Sequence, residues 1–112
     1  MIDAHWQSLA DALLTLEMQL RDVGLWSTKR PEPGRLVSQS PFCVDTLEFE
    51  QWLQWVFIPR MTLFVNQRSH LPAECNILPM AEESFAELGR GRLTLLSAIA
   101  EVDRLASLLV HR

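Results

Sequence analysis

One apolar pattern and the proline that interrupts it constrain this chain more than any other feature. Phe49, Trp52, Leu53, Val56, Phe57, Leu63 and Phe64 recur at helical intervals, and Pro59 falls among them. Residues 41 to 64 hold six of the nine aromatic side chains. Proline removes the amide that would bond the Trp55 carbonyl and presses its ring on the preceding turn, a cost of about 3 kcal/mol in an unadapted helix interior. The apolar pattern continues past it through Met61 and Phe64, so the reading is one bent helix from about Thr46 to Asn66. Asp45 and Glu48 have capping-box spacing at its start.

Two further stripes accompany it. Ile2, Trp6, Leu9, Leu13, Leu16, Leu20 and Val23 step by fours and threes, the period of an amphipathic helix that Gly24 ends and Asp3 caps. Ala10, Leu14 and Met18 widen its apolar face beyond a coiled-coil seam. Leu95, Ile99, Val102, Ala106 and Leu109 define a last helix from about Arg92 to His111, with His111 and Arg112 at its negative end. A short third helix starts at Pro79 and runs to Gly89, with Glu82 and Glu83 near its positive end. Gly89 and Gly91 break it.

Between the first two helices, residues 24 to 40 carry Pro31, Pro33 and Gly34 and read as a long, locally basic connection pinned by Trp26, Leu36 and Val37. A second connection holds Pro72. Four helices without a strand give an all-α fold: a four-helix bundle with long Pro-containing loops and a Pro-kinked second helix. At 112 residues, 1–112 is a single domain.

Composition excludes several functions. Apolar residues make up 48% and charged residues 21%, too hydrophobic for a disordered chain. Ten Lys and Arg against fourteen Asp and Glu give a net charge of −4, which opposes general adhesion to nucleic acid or anionic lipid. Apolar runs fall far short of the roughly 20 residues that span a bilayer. The first residues carry Asp3 and Asp11 where a secretory signal would carry cations, so a cytoplasmic protein is expected. Cys43 and Cys75 are isolated and expected to be reduced thiols. His5, His70 and His111 have no metal-ligand spacing, so neither a metal nor another cofactor is expected. The GRGR run from Gly89 lacks the strand and the Lys-Ser/Thr ending of a phosphate loop.

The PF-x-x-DT-x-E start at Pro41, Phe42, Asp45, Thr46 and Glu48, and the WLQWVFIPRM run from Trp52 to Met61, resemble the YqcC-like family of small uncharacterised bacterial proteins. The pairs Leu71-Pro72 and Pro79-Met80 extend the resemblance over nearly the whole chain. It implies a cytoplasmic all-α bundle, often encoded beside a tRNA pseudouridine synthase, with no established activity and no catalytic residues to carry over.

Three functions remain open at this point. The first is a non-enzymatic adaptor that meets a protein partner, or a second copy of itself, through Trp52, Trp55, Phe57, Pro59, Arg60 and Met61. Against it stands the ordinary reading that these aromatics fill the core, with Trp55 covered by the Pro-rich loop. Arg60 has a structural alternative too, bonding carbonyls freed by the kink. The second is an accessory RNA-binding factor using Trp26, Lys29, Arg30 and Arg35, with Arg90 and Arg92 as further cations. The third is a small-molecule site in the core near Pro59.

Overall fold

A computed structural model describes residues 2–72 and 74–110, with side chains from residue 4 onward. The expected roles of Ile2, Asp3, His111 and Arg112 lie outside the described side chains. Helix α1 spans Ile2–Asp22. Three consecutive segments, Phe49–Trp52, Leu53–Phe57 and Ile58–Gln67, form a second continuous helix, here α2 (49–67). Helix α3 is Leu78–Ser84 and α4 is Arg92–Ser107. No strand occurs among the described residues, only an isolated bridge between Leu71 and Val110. The all-α four-helix architecture stands as the sequence implies.

Helices α1 and α4 make the most extensive contact. Leu9, Leu16, Leu20, Leu95, Ile99 and Val102 are fully enclosed there, which places both apolar stripes face to face. The pair is antiparallel: Val23 at the end of α1 meets Gly91 at the start of α4. A Cβ on Gly91 would lie 2.6 Å from Val23 Cγ1, and its φ of 88° disfavours a side chain as well. Gly24 closes α1 at φ 79°, with Leu25 N–H reaching the Leu20 carbonyl at 2.9 Å and Gly24 N–H the Arg21 carbonyl at 3.1 Å. These are the paired bonds of a Schellman end.

Pro59 does not break α2. Residues Leu53–Phe57 form a π turn in which Ile58 N–H reaches back five residues to the Leu53 carbonyl. The wider turn accommodates the pyrrolidine ring where an unmodified helix would clash with it. It also lets Trp52 and Phe57, five residues apart, stack with centroids 5.2 Å apart.

Several boundaries differ from the sequence reading, each for a local reason. Helix α2 begins at Phe49, not Thr46, because Asp45 and Thr46 are engaged elsewhere. Ser38 Oγ donates to the Asp45 carboxylate, and Thr46 Oγ1 donates to the Arg35 carbonyl at 2.7 Å. The helix start is set instead by Glu48, whose N–H donates to Gln51 Oε1 at 2.9 Å. Helix α3 stops at Ser84, and Glu82 and Glu83 lie outside its first turn. Its exposed N–H groups go to the Asp103 carboxylate of α4, with Ile77 N at 3.0 Å and Leu78 N at 2.9 Å. Helix α4 ends at Ser107, four residues short of the expected His111.

The connection between α1 and α2 has structure of its own, with 3-10 turns at Pro33–Val37 and Pro41–Cys43. Trp26 and Leu36 pack on the core, whereas Val37 is 75% exposed and anchors nothing.

Candidate functional site

The π turn sets the chemistry of this half of the molecule. It places Gln54 at 6% exposure, a buried polar side chain among apolar neighbours. Its amide pairs with one backbone unit of the connection: Ser27 N–H donates to Gln54 Oε1 at 2.8 Å, and Gln54 Nε2 donates to the Ser27 carbonyl at 2.6 Å. A buried amide satisfied in both directions resists loss of either partner. This clamp fixes the basic connection against α2.

Around it lies an aromatic cluster. The Phe42 ring meets Trp52 at 5.0 Å and Phe49 at 5.8 Å, both edge to face, and Phe49 stacks on Trp52 at 5.7 Å. Phe42 adopts φ 57°, a strained value for a side chain of this size, and these ring contacts offset that strain.

Burial corrects the contact reading for three of the six residues in favour of the core reading. Trp52, Phe57 and Met61 are 9%, 6% and 5% exposed and belong to the core. Trp55 is half-buried, with the Arg30 guanidinium 5.8 Å from its ring centroid. Pro59 and Arg60 are exposed. The burial follows from the cluster, since the π turn brings Trp52 and Phe57 to one side and the connection supplies Phe42 to cover them.

Trp52, Phe57, Arg60 and Met61 nevertheless converge. With Phe64, Leu71, Pro72, Glu74 and Cys75 they line a shallow, mainly apolar depression of about 210 Å³. Buried rings form its floor, and exposed Arg60, Pro72 and Glu74 its rim. Phe64 was within reach of sequence reasoning, one and two helical turns beyond Met61 and Phe57. Leu71, Pro72, Glu74 and Cys75 were not, because they arrive through a non-local bond from Leu71 N–H to the Leu109 carbonyl at 2.9 Å.

Lys29, Arg30 and Arg35 also come together, lining a depression of about 280 Å³ with Ser27, Pro31, Glu32 and Gln51. Arg35 Nη1 donates to the Thr46 carbonyl at 3.1 Å. Trp26 does not line it, and Arg21 covers its ring at 4.8 Å. Arg90 and Arg92 do not line it either. Arg60 makes no hydrogen bond among the described residues, so it does not repair the helix at Pro59.

Neither cysteine is disposed as a nucleophile. Cys43 is buried, and Cys75 donates its S–H to Asp103 Oδ1 at 3.1 Å. Burial first, and then that carboxylate, push the Cys75 thiol well above its ordinary range, away from the reactive thiolate. Both thiols are free. No group of three or more potential metal ligands occurs among the described residues, and no helix is long and apolar enough to cross a membrane.

Comparison with known proteins places this architecture. A protein of Haemophilus influenzae, named as uncharacterized, is 38% identical over 78% of this chain and 84% of its own length. The uncharacterized protein YqcC of Escherichia coli is 34% identical over 83% of this chain and 85% of its own length. The solution NMR structure of E. coli YqcC superposes with a TM-score of 0.82 at 30% identity, covering 96% of this chain and 92% of that one. A Pectobacterium carotovorum protein named tRNA pseudouridine synthase C is 39% identical over 61 residues, 54% of this chain but 16% of that protein. The family model DUF446, described as tRNA pseudouridine synthase C, matches residues 8–105. The chain therefore belongs to the YqcC family of helical proteins.

Proposed function

We propose that this chain is a non-enzymatic adaptor whose partner is a tRNA pseudouridine synthase. The observation that carries the reading is the depression on α2, with an apolar floor of Trp52, Phe57 and Met61 and a rim bearing Arg60 and Glu74. Such a site fits one apolar anchor side chain of a partner, oriented by charge at its edge. The choice of partner rests on the Pectobacterium relative. There a segment similar to this chain occupies 16% of a protein named for that enzyme, leaving the rest of that chain outside the match. The small-molecule reading has less support: the two depressions hold about 210 and 280 Å³ and are open, below the roughly 300 Å³ at which ligand pockets begin.

Isothermal titration of the chain with the tRNA pseudouridine synthase C of the same cell tests the proposal. Saturable binding is expected, weakened about tenfold or more by Arg60→Glu, which reverses a rim charge without entering the core. Absence of binding, or full affinity in the variant, would overturn the assignment of partner or site.

A further inference from the structure

We infer that the cation-lined depression between the 24–40 connection and α2 is a binding site for the phosphate backbone of RNA. Lys29, Arg30 and Arg35 line it with Glu32 as the opposing carboxylate, in a chain whose net charge is −4. Among the described residues, none of these three cations is paired with an acid, unlike Arg21 with Glu17 and Arg104 with Glu101. Three cations facing one carboxylate make this a locally positive place on an acidic protein, and so concentrate attraction for polyanions there.

The cluster is also held in position. The Gln54 clamp fixes Ser27 at its edge, Trp55 lies under the Arg30 guanidinium, and the Thr46 carbonyl accepts from Arg35. Guanidinium groups pinned this way have less rotamer freedom to lose when they meet a phosphate. An RNA strand is favoured over an acidic peptide because Arg30 and Arg35 supply planar guanidinium groups to the depression, on which unstacked bases can lie while Lys29 meets phosphate.

The test is fluorescence anisotropy with a labelled tRNA transcript, between about 50 and about 200 mM salt, where phosphate contacts are most visible. Three contacts predict a log–log slope of about −2 to −3 for the association constant against salt. The Lys29→Glu/Arg30→Glu double variant should lose tenfold or more in affinity at the lowest salt and flatten that slope. Arg90→Glu, an equal step in charge per residue away from the depression, should stay within twofold. Circular dichroism checks folding; if the double variant is unfolded, Lys29→Ala serves instead, with an expected loss of about threefold. No binding at the lowest salt, an equal loss in Arg90→Glu, or equal competition by a polyglutamate peptide would overturn the inference. The titration contains no synthase, so its failure and that of the adaptor reading are distinguishable.

Discussion

The α1–α4 interface and the junction between α2 and its preceding connection hold together by different means. The first is apolar: Leu16, Leu20, Leu95, Ile99 and Val102 fill it, and no side-chain hydrogen bond crosses it among the described residues. The second is fastened by named polar pairs, Gln54 with Ser27, Thr46 with Arg35 and Ser38 with Asp45, around an aromatic cluster. Apolar burial is non-directional and tolerates substitution of similar volume, whereas a buried amide clamp is satisfied by one geometry. One half can therefore change in sequence and keep its shape, while the other fixes the placement of specific side chains. The cationic depression lies at that second junction, and the apolar one takes Trp52 and Phe57 from its aromatic cluster.

The largest expected effect separates the two regions by scale. Leu16→Ala, at a fully buried position, should cost about 2–5 kcal/mol in urea denaturation and lower protection from hydrogen exchange throughout the chain. If protection fell only near Leu16, the interface would not be the frame on which the rest depends. Next comes Gln54→Leu, expected to cost about 1–3 kcal/mol by leaving the Ser27 backbone groups unpaired. Here exchange should speed up at Ser27 and its neighbours while α1 and α4 amides stay protected.

Asp103→Ala removes the cap that α4 supplies to α3 and should cost about 1 kcal/mol, read as a lower melting temperature with exchange faster at Ile77 and Leu78. The smallest effect is a pH dependence. Cys75 ionises near 9.0 when unperturbed, and the folded chain keeps it protonated through burial and the adjacent Asp103. The unfolded state then releases a proton that the folded state retains, so this contribution to stability is intact below that value and declines as pH rises above it. Cys75→Ser should flatten the decline in alkaline denaturation; an unchanged profile would mean the thiol is not insulated.

Legibility in the sequence followed the same division. The stripes of α1 and α4 were readable because burial repeats with the helical period, and Gly24 announced its own chain reversal. The disturbance at Pro59 was readable as well, although its form as a π turn was not, since nothing local distinguishes a widened turn from a kink. The start of α2 was misplaced because Asp45 offered a valid local cap, and only the folded connection diverts it to Ser38. Trp52 and Phe57 could be read either as contacts or as core while α2 was considered alone, and Phe42, arriving from a left-handed backbone conformation, decides for the core. The convergence of four expected contact residues on one depression could not be read locally, because Leu71, Pro72, Glu74 and Cys75 complete it from the other side of a non-local bond.

Hydrogen exchange of the chain with and without tRNA pseudouridine synthase C tests the account most directly. It predicts slower exchange at Arg60, Glu74 and Cys75 around the depression, with α1 and α4 amides unchanged. Protection gained on the α1–α4 face instead, or at no position, would contradict it.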